Sequence, residues 1–235
     1  MSEEAPRGDL NRIGRLYVVA TPVGNLSDMT FRAVEILKTV DFVAAEDTRT
    51  SSVLLKHYSI SKPMVSFHSH SAADRSKELV RRFLRGESAA LITDAGTPGI
   101  SDPGYTLVRD AVAEGVDVVP VPGPTAFVAA LSASGLRMDR FIFEGFLPLK
   151  KGRQKKLHQL SSEKRTIIFY ESPHRIEKTL RELAEHFGER KCVVAREISK
   201  IHESFYRGTF QDVLEMMGQG ERRGEFVVIV EGAEE

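Results

Sequence analysis

The stretch Thr93-Asp94-Ala95-Gly96-Thr97-Pro98-Gly99-Ile100-Ser101-Asp102-Pro103-Gly104 separates a short apolar run from a predicted amphipathic helix at 105–114. Glycine permits backbone conformations closed to other residues, whereas proline fixes φ and limits the motion of a loop. We therefore predict a rigid turn after a buried strand. Taken alone, the composition fits a structural turn and a ligand-binding loop equally well.

The same alternation of strand and helix extends outward from this loop, between Gly14 and about Gly135. β-Branched runs alternating with amphipathic helices indicate βαβ units and a parallel sheet covered by helices on both faces. The predicted strands are 16–20, 42–45, 64–67, 89–93 and 116–121, and the predicted helices are 30–40, 51–58, 72–86, 105–114 and 125–134.

The regular alternation of strand and helix changes after Gly135, where consecutive predicted strands have fewer helices between them. Strands are predicted at 141–143, 166–170, 192–197, 203–210 and 225–231, with helices at 150–160, 174–187 and 211–217. This pattern is typical of a mixed sheet. We predict an α/β protein of two domains, an N-terminal Rossmann-like α/β domain at 14–135 and a C-terminal α+β domain at 140–235. A linker at 135–140 joins them, and residues 1–13 are expected to form a disordered tail.

Composition limits the class of protein. The 235 residues are 41% hydrophobic and 28% charged, and 33 basic residues balance 33 acidic ones, so net charge alone does not indicate a nucleic-acid partner. No apolar run is long enough to suggest a membrane span, and we expect a cytoplasmic protein. Cys192 is the only cysteine and lies in an apolar run, which favours a buried inert thiol over a nucleophile.

Four of the five loops that follow the N-terminal strands are polar, stiff or glycine-bearing. They are 20–26, 45–50, 93–104 and 121–126, and in a parallel sheet such loops meet at the carboxyl edge, where ligands bind. No Gly-x-Gly-x-x-Gly follows the first strand and no P-loop motif occurs, so a nucleoside polyphosphate is not the expected ligand. No Gly-x-Ser-x-Gly or His-Glu-x-x-His hydrolase signature occurs either.

Two charged or polar clusters remain open to more than one interpretation. The segment 150–156 carries five positive charges, Lys150, Lys151, Arg153, Lys155 and Lys156, and could contact phosphates or form a solvated helix face. His68 and His70 have a spacing compatible with metal binding, but no further ligand lies nearby in sequence. We expect no metal.

Six motifs in order resemble those of the tetrapyrrole methylase superfamily, and more closely a branch of it that modifies small-subunit ribosomal RNA. The motifs are Thr21-Pro22-Val23-Gly24-Asn25-Leu26, Ala45-Glu46-Asp47-Thr48-Arg49, 94–104, 120–126, Phe143-Glu144-Gly145-Phe146-Leu147-Pro148 and Tyr170-Glu171-Ser172-Pro173-His174-Arg175. The resemblance spans nearly the whole chain. Two departures from the branch pattern, Ser71 and Ser199, are conservative but leave no role assigned to either residue.

The resemblance implies a tetrapyrrole-methylase-like fold, a homodimer and S-adenosylmethionine (AdoMet) as methyl donor, held between the domains. It implies transfer of the methyl group to the 2′-hydroxyl of a decoding-centre cytidine in 16S ribosomal RNA. With no tryptophan and few aromatic residues outside the predicted strands, no base-stacking platform is evident, so we expect recognition of a folded RNA or of the assembled small subunit by its shape. The expected donor-binding residues are Asp94, Ala95, Gly96, Thr97, Pro98, Gly99, Ile100, Pro122, Thr125 and Ala126 from the loops, with Tyr170 and Glu171, and the strand at Glu225 and Phe226, approaching the adenine.

A neutral ribose hydroxyl is a poor nucleophile, so a carboxylate or a histidine could accept its proton during transfer. Glu46, Asp47 and Arg49 at the end of the second strand are the predicted catalytic or RNA-positioning residues, and Asn25 is added to them. Asp47 could instead cap the following helix, and Asn25 could be an ordinary turn residue. With the resemblance, the basic segment at 150–156 is predicted to contact RNA.

Two other functions are compatible with these features. One is a methyltransferase for a tetrapyrrole or another small acceptor, against which the basic segment argues. The other is a ribosome-associated RNA-binding protein without catalysis, against which the intact glycine- and proline-rich loops argue.

Overall fold

The computed structural model describes residues 13–68, 72–218 and 223–234. These residues form two compact units. The first contains residues 13–22 and 26–124, and the second contains Val23–Asn25 and the chain from Thr125 onward. The predicted N-terminal tail at 1–13, apart from its last residue, lies outside the described residues, as do His70 and Ser71.

The first unit alternates strands with helices, as the sequence predicts. Its strands are β1 (Arg15–Val19), β2 (Phe42–Ala45), β3 (Met64–Ser66), β4 (Ala89–Ile92) and β5 (Asp117–Val121). Its helices are α1 (Phe31–Thr39), α2 (Thr48–His57), α3 (Ala72–Leu84) and α4 (Tyr105–Ala113), with a short 3-10 helix at Leu26–Asp28.

The five strands form one parallel sheet in the order β3-β2-β4-β1-β5. Tyr17 of β1 lies opposite Ala90 on one side and Val119 on the other. Successive side chains of a strand point to opposite faces, so Phe42 and Ala44 pack into one buried cluster and Val43 and Ala45 into another. Both faces of the sheet are therefore covered, and the predicted parallel α/β sheet is confirmed.

The second unit is a mixed α+β structure. It contains α5 (Ala126–Ser132), β6 (Phe141–Phe146), α6 (Arg153–Leu160), β7 (Thr166–Glu171), α7 (Ile176–Phe187), β8 (Lys191–Arg196), β9 (Ser204–Thr209), α8 (Phe210–Gly218) and β10 (Phe226–Val230). Its sheet has the order β6-β7-β10-β8-β9. Only the β6–β7 pair of this described sheet is parallel, so the predicted mixed sheet is confirmed.

The helix α5 belongs to the second unit, whereas the sequence-based boundary at Gly135 places it in the first. Phe127 of α5 stacks on Phe143 of β6, with ring centroids 4.4 Å apart. The Arg207 guanidinium of β9 donates to the carbonyl oxygens of Ala133 at 2.7 Å and Ser134 at 3.4 Å. These hydrogen bonds give partners to carbonyl groups at the C-terminal end of α5, where the helix itself provides none. The boundary therefore lies after Pro124.

Two helix starts differ from the predictions for local reasons. α2 begins at Thr48, before the predicted Ser51, because the Asp47 carboxylate accepts a hydrogen bond from the Arg49 amide at 2.8 Å and caps the helix. α6 begins at Arg153 because the preceding Gly152 has a left-handed backbone with φ of 82°. In the part of the chain that the structure describes, no helix is both long and apolar enough to span a bilayer.

Candidate functional site

The loops after β1 and β4 are joined directly at the carboxyl edge of the first sheet. The amides of Thr21 and Gly96 each donate to the other residue's carbonyl at 2.9 Å. The buried Thr21 hydroxyl also donates to the Thr93 carbonyl at 3.0 Å. β1 and β4 are adjacent strands whose helices leave toward opposite sides of the sheet, and such a switch point is where open α/β sheets bind ligands.

The loop after β5 packs into the same arrangement. The Thr97 hydroxyl donates to the carbonyl of Pro124 at 3.2 Å. A Cβ atom at Gly123 would lie 2.9 Å from the Cβ atom of Ala20, so glycine is needed for this close approach. The predicted convergence of loops at one sheet edge is therefore confirmed for the loops that follow β1, β4 and β5.

The backbone of the 93–104 loop adopts conformations that most residues avoid. Gly96 and Gly99 have φ of 85° and 86°, and Ser101, which is not a glycine, has φ of 67°. Such conformations cost of order 1–3 kcal/mol for a residue with a side chain and occur often at ligand sites. Asp94, Ala95 and Gly99 are exposed, whereas Gly96 and Pro98 are buried. The loop thus combines a fixed backbone with an accessible surface.

Three carboxylates lie together beside this loop. Glu46 accepts a hydrogen bond from the Thr93 hydroxyl at 2.5 Å, and the Asp94 carboxylate accepts one from the Asp47 amide at 3.3 Å. Partial loss of hydration, followed by repulsion from the Glu46 carboxylate, raises the pKa of Asp94 above its ordinary value. Asp94, predicted as a donor contact, therefore also lies beside the predicted catalytic residues.

Asp47 has a different environment from the other two carboxylates. The Arg49 guanidinium donates from Nη2 to Asp47 Oδ2 at 2.7 Å and from Nε to Oδ1 at 3.1 Å. The Arg49 side-chain and backbone hydrogen bonds lower the pKa of Asp47 to about 2. Asp47 is thus both an N-cap and an ion-pair partner, and it is a poor proton acceptor. The Arg49 side chain remains 90% exposed despite this pair.

The other loop residues assigned to the site divide between the two units. Pro122 belongs to the first unit, whereas Asn25, Thr125 and Ala126 belong to the second. Asn25 is exposed, and its neighbour Gly24 packs closely against Lys200. Thr125 is the N-cap residue of α5, and Ala126 is the first residue of that helix.

In the second unit, Glu171 ends β7 and is only 2% exposed. One carboxylate oxygen accepts from the Ser172 amide at 2.8 Å and from Arg175 at 2.6 Å, and the other accepts from the Thr179 hydroxyl at 2.8 Å. Both carboxylate oxygens thus have partners inside the unit, and the prediction that Glu171 contacts the donor stays a prediction. The Glu171 side chain fixes the turn after Tyr170.

The basic segment divides into one buried residue and four residues with greater access to solvent. Arg153 is 6% exposed and donates to Glu182 at 2.7 Å, to the Thr179 hydroxyl at 2.7 Å and to the Pro148 carbonyl at 3.1 Å. The prediction that Arg153 contacts RNA is therefore wrong, since the guanidinium holds α6, α7 and the preceding loop together. Lys156 is half-buried and pairs with Glu144 at 2.5 Å, and the exposed residues are Lys150, Lys151 and Lys155.

A strained turn follows β8, where the sequence showed only the departure of Ser199 from the branch pattern. Glu197 and Ser199 have φ of 53° and 67°, although neither is a glycine. Lys200 donates to Glu197 at 2.9 Å and to Glu225 at 3.0 Å. Partial burial opposes protonation, but these hydrogen bonds prevail and raise the pKa of Lys200, so the side chain is an ammonium ion. The arrangement of charged residues along the sequence does not by itself predict such a turn.

The two remaining candidates for chemistry receive little support. Cys192 is fully buried in β8, and burial raises the pKa of its thiol to about 12, which fits the predicted inert core residue. His68 follows β3 at the edge of the first sheet. Among the described residues, no three His, Cys, Asp or Glu side chains are grouped as metal ligands would be.

Comparison with known proteins places this fold and loop arrangement in a defined class. The family model described as Tetrapyrrole (Corrin/Porphyrin) Methylases matches residues 15–214. The chain belongs to the tetrapyrrole methylase family.

Within that class the chain is most informatively compared with two bacterial relatives. It is 50% identical over 223 residues to the ribosomal RNA small subunit methyltransferase I of Synechocystis, covering 94% of this chain and 80% of that protein. It is 43% identical over 222 residues to the protein of the same name from Thermotoga maritima, covering 94% of this chain and all of that protein. The resemblance stated from the six motifs is confirmed.

Solved structures support the same fold at low sequence identity. Uroporphyrin III C-methyltransferase from Thermus thermophilus superposes with a TM-score of 0.65 at 19% identity, covering 93% of this chain and 97% of that one. Diphthine synthase superposes with a TM-score of 0.73 at 14% identity, covering 93% of this chain and 90% of that one.

Proposed function

We propose that this chain transfers a methyl group from AdoMet to small-subunit ribosomal RNA, at the 2′-hydroxyl of a decoding-centre cytidine in 16S RNA. The observation that carries the proposal is about 50% identity over 94% of the chain to a protein named ribosomal RNA small subunit methyltransferase I. A substrate of this kind places the reaction in the cytoplasm. We propose a homodimer as the active form and the assembled small subunit as the substrate.

The loops at the edge of the first sheet fit a methyl donor that is held mainly by backbone groups. The Thr21–Gly96 pairing and the Thr97–Pro124 hydrogen bond fix the loops before any ligand arrives, which lowers the cost of ordering them. We assign the donor to 94–100, with Pro122, Thr125, Ala126, Tyr170 and Glu171. AdoMet supplies an already activated methyl group, so the protein's main task is to align donor and acceptor.

The carboxylates beside the loop fit the acceptor side of the reaction. A ribose hydroxyl must lose its proton as its oxygen is methylated, and a carboxylate with a raised pKa is a better acceptor than an ordinary one. Asp94 has such a raised pKa, and Glu46 lies beside it and hydrogen-bonds Thr93, so these two residues replace Asp47 as the candidate proton acceptors. We propose that the exposed Arg49 contacts a phosphate of the RNA, and that Asn25 contacts the target nucleotide.

Two other functions use the same features and make different predictions. A methyltransferase for a tetrapyrrole or another small acceptor would leave the exposed Lys150, Lys151 and Lys155 without a role. An RNA-binding protein without catalysis would not need the fixed loops at the sheet edge.

One experiment separates the three functions. The protein is incubated with labelled AdoMet and undermodified small subunits, free 16S RNA or a tetrapyrrole precursor, and the label is then located. We expect label on a ribose of the RNA in assembled subunits. Label on the tetrapyrrole alone would exclude the RNA assignment. A melting temperature that AdoMet does not raise would exclude the donor, since a ligand at a hundred times its Kd stabilises a protein by about 2.7 kcal/mol.

A further inference from the structure

Phe146 is an aromatic residue placed on the surface of the second unit. It is the last residue of β6, an edge strand of the sheet, and is 54% exposed. The pairing of β6 with β7 is irregular between Phe143 and Phe146, and Gly145 within this interval has φ of 61°. Such a bulge re-aims the side chain that follows it. The exposure of Phe146 is thus a product of the local backbone.

The Phe146 ring packs at the end of a row of aromatic rings. This ring lies 5.7 Å from that of Tyr170, which lies 5.1 Å from the ring of Phe143. Phe143 in turn stacks on the buried Phe127. An exposed ring that is packed along one edge loses little conformational freedom when a ligand binds to its open face. The row therefore turns Phe146 into a fixed apolar surface.

The exposed lysines follow this ring closely in sequence, on a loop and a helix start that are anchored to β6 and α7. The loop between them is anchored by the buried Leu147 and by Arg153, which donates to the Pro148 carbonyl and whose amide donates to the Lys150 carbonyl at 3.2 Å. At the other end, Lys156 pairs with Glu144 in the bulge and so holds the first turn of α6 against β6. The exposed ring and the exposed lysines thus lie on neighbouring segments whose backbones are anchored to each other.

We propose that Phe146, Lys150, Lys151 and Lys155 form a binding surface for single-stranded RNA, in which an unpaired base stacks on Phe146 and the lysines contact flanking phosphates. This inference rests on the proposed function and specifies which kind of RNA structure the protein recognises. Stacking requires a base with an open face, which a continuous duplex does not offer, whereas lysines alone attract any phosphate backbone. The combination therefore selects unpaired RNA.

The test compares Phe146→Leu with Phe146→Trp in the full chain. The probes are a short single-stranded RNA oligonucleotide and a duplex formed from it, and Kd is measured by fluorescence anisotropy over a range of salt concentrations. Loss of one base–aromatic stack corresponds to about a tenfold rise in Kd. We expect Phe146→Leu to show this rise for the single strand alone, with an unchanged salt slope, and Phe146→Trp to retain the affinity. Replacing the three lysines with alanine should reduce the salt slope by about 2.

Three results would overturn the inference and leave the proposed function intact. They are an unchanged Kd for Phe146→Leu, an equal loss for single strand and duplex, or a change of Phe146→Leu from dimer to monomer by sedimentation, which would identify the surface as an interface between copies. The melting temperature of each variant checks that it is folded. If the unaltered protein binds neither the oligonucleotide nor the duplex, the inference fails; if it also fails to bind assembled small subunits, the proposed function fails as well.

Discussion

Thr21 and Gly96 exchange two backbone hydrogen bonds of 2.9 Å, although 75 residues separate them in the chain. The pairing links the ends of β1 and β4, and the buried Thr21 hydroxyl extends it to the Thr93 carbonyl. One residue thus fixes the loop that we assign to the methyl donor.

Replacing Thr21 with valine removes the hydroxyl while preserving the shape of the side chain. We expect a loss of about 1–3 kcal/mol in the free energy of unfolding, because the buried Thr93 carbonyl loses a hydrogen bond, and a weaker affinity for AdoMet. Urea denaturation and calorimetric titration measure the two effects. Thr21→Ser keeps the hydroxyl and serves as control. A valine variant with native stability and native AdoMet affinity would contradict this role.

Substitutions of Arg153 and Lys151, which belong to the same basic segment, should affect different properties: stability for Arg153 and RNA binding for Lys151. Arg153→Ala removes the partner of the half-buried Glu182 and of the buried Thr179, so we expect a loss of about 3 kcal/mol in the free energy of unfolding. Lys151→Ala is an exposed substitution and should change stability by less than about 0.5 kcal/mol while weakening RNA binding. Denaturant unfolding and anisotropy together measure the contrast. A stable Arg153→Ala variant would show that the buried contacts contribute little.

The ion pair of Asp47 predicts a particular dependence on pH. The pKa of Asp47 is lowered from 3.8 to about 2, so the ionised form stabilises the folded state. That stabilisation is complete above pH 3.8 and is lost as the pH falls toward 2. Carboxyl NMR should therefore find Asp47 still ionised at about pH 3, where an ordinary aspartate is mostly protonated.

Asp47→Asn is the matched variant for this measurement, because asparagine also caps helices. The difference in unfolding midpoint between the native protein and this variant should shrink as the pH falls through the same range. A difference independent of pH would assign the contribution of Asp47 to capping alone.

Glu46→Gln should separate methyl transfer from donor binding. A glutamine retains the hydrogen bond from the Thr93 hydroxyl but cannot accept a proton, so we expect kcat to fall by about 100-fold or more. The Kd for AdoMet should stay within about twofold of the native value, since the donor is assigned to the adjacent loop. Single-turnover assays with labelled AdoMet and calorimetry measure the two quantities. Weakened donor binding with a native rate of transfer would mean that the donor and acceptor assignments are reversed.

The order of strands and helices in this chain could be predicted from hydrophobic periodicity, because each type of element has its own local pattern of apolar side chains. The convergence of loops followed from the parallel sheet, since parallel strands place their carboxyl ends at one edge. The boundary after Pro124 could not be predicted, because α5 is assigned by contacts with Phe143 and Arg207, which lie later in the chain.

The roles of individual charged residues were the hardest features to predict from the sequence. Arg153 and Lys151 are both basic residues of one short segment, and the sequence does not show which of them is buried. The folded structure shows that Arg153 is buried against Glu182. The burial of the Glu171 side chain likewise could not be predicted from the sequence around it. The aromatic row behind Phe146 was also missed, because its rings come from three segments of the sequence.

The position of β1 in the first sheet has a consequence for synthesis of the chain. β1 is made first, yet its two neighbours are β4 and β5, which end at Ile92 and Val121. A growing chain must therefore carry an unpaired, apolar N-terminal strand until much of the first unit has left the ribosome. Pairings between residues so distant in sequence form slowly, and the exposed strand edge is prone to aggregation meanwhile. Conditions that slow translation between residues 20 and 121 should therefore lower the yield of folded protein more than a comparable delay after Val121.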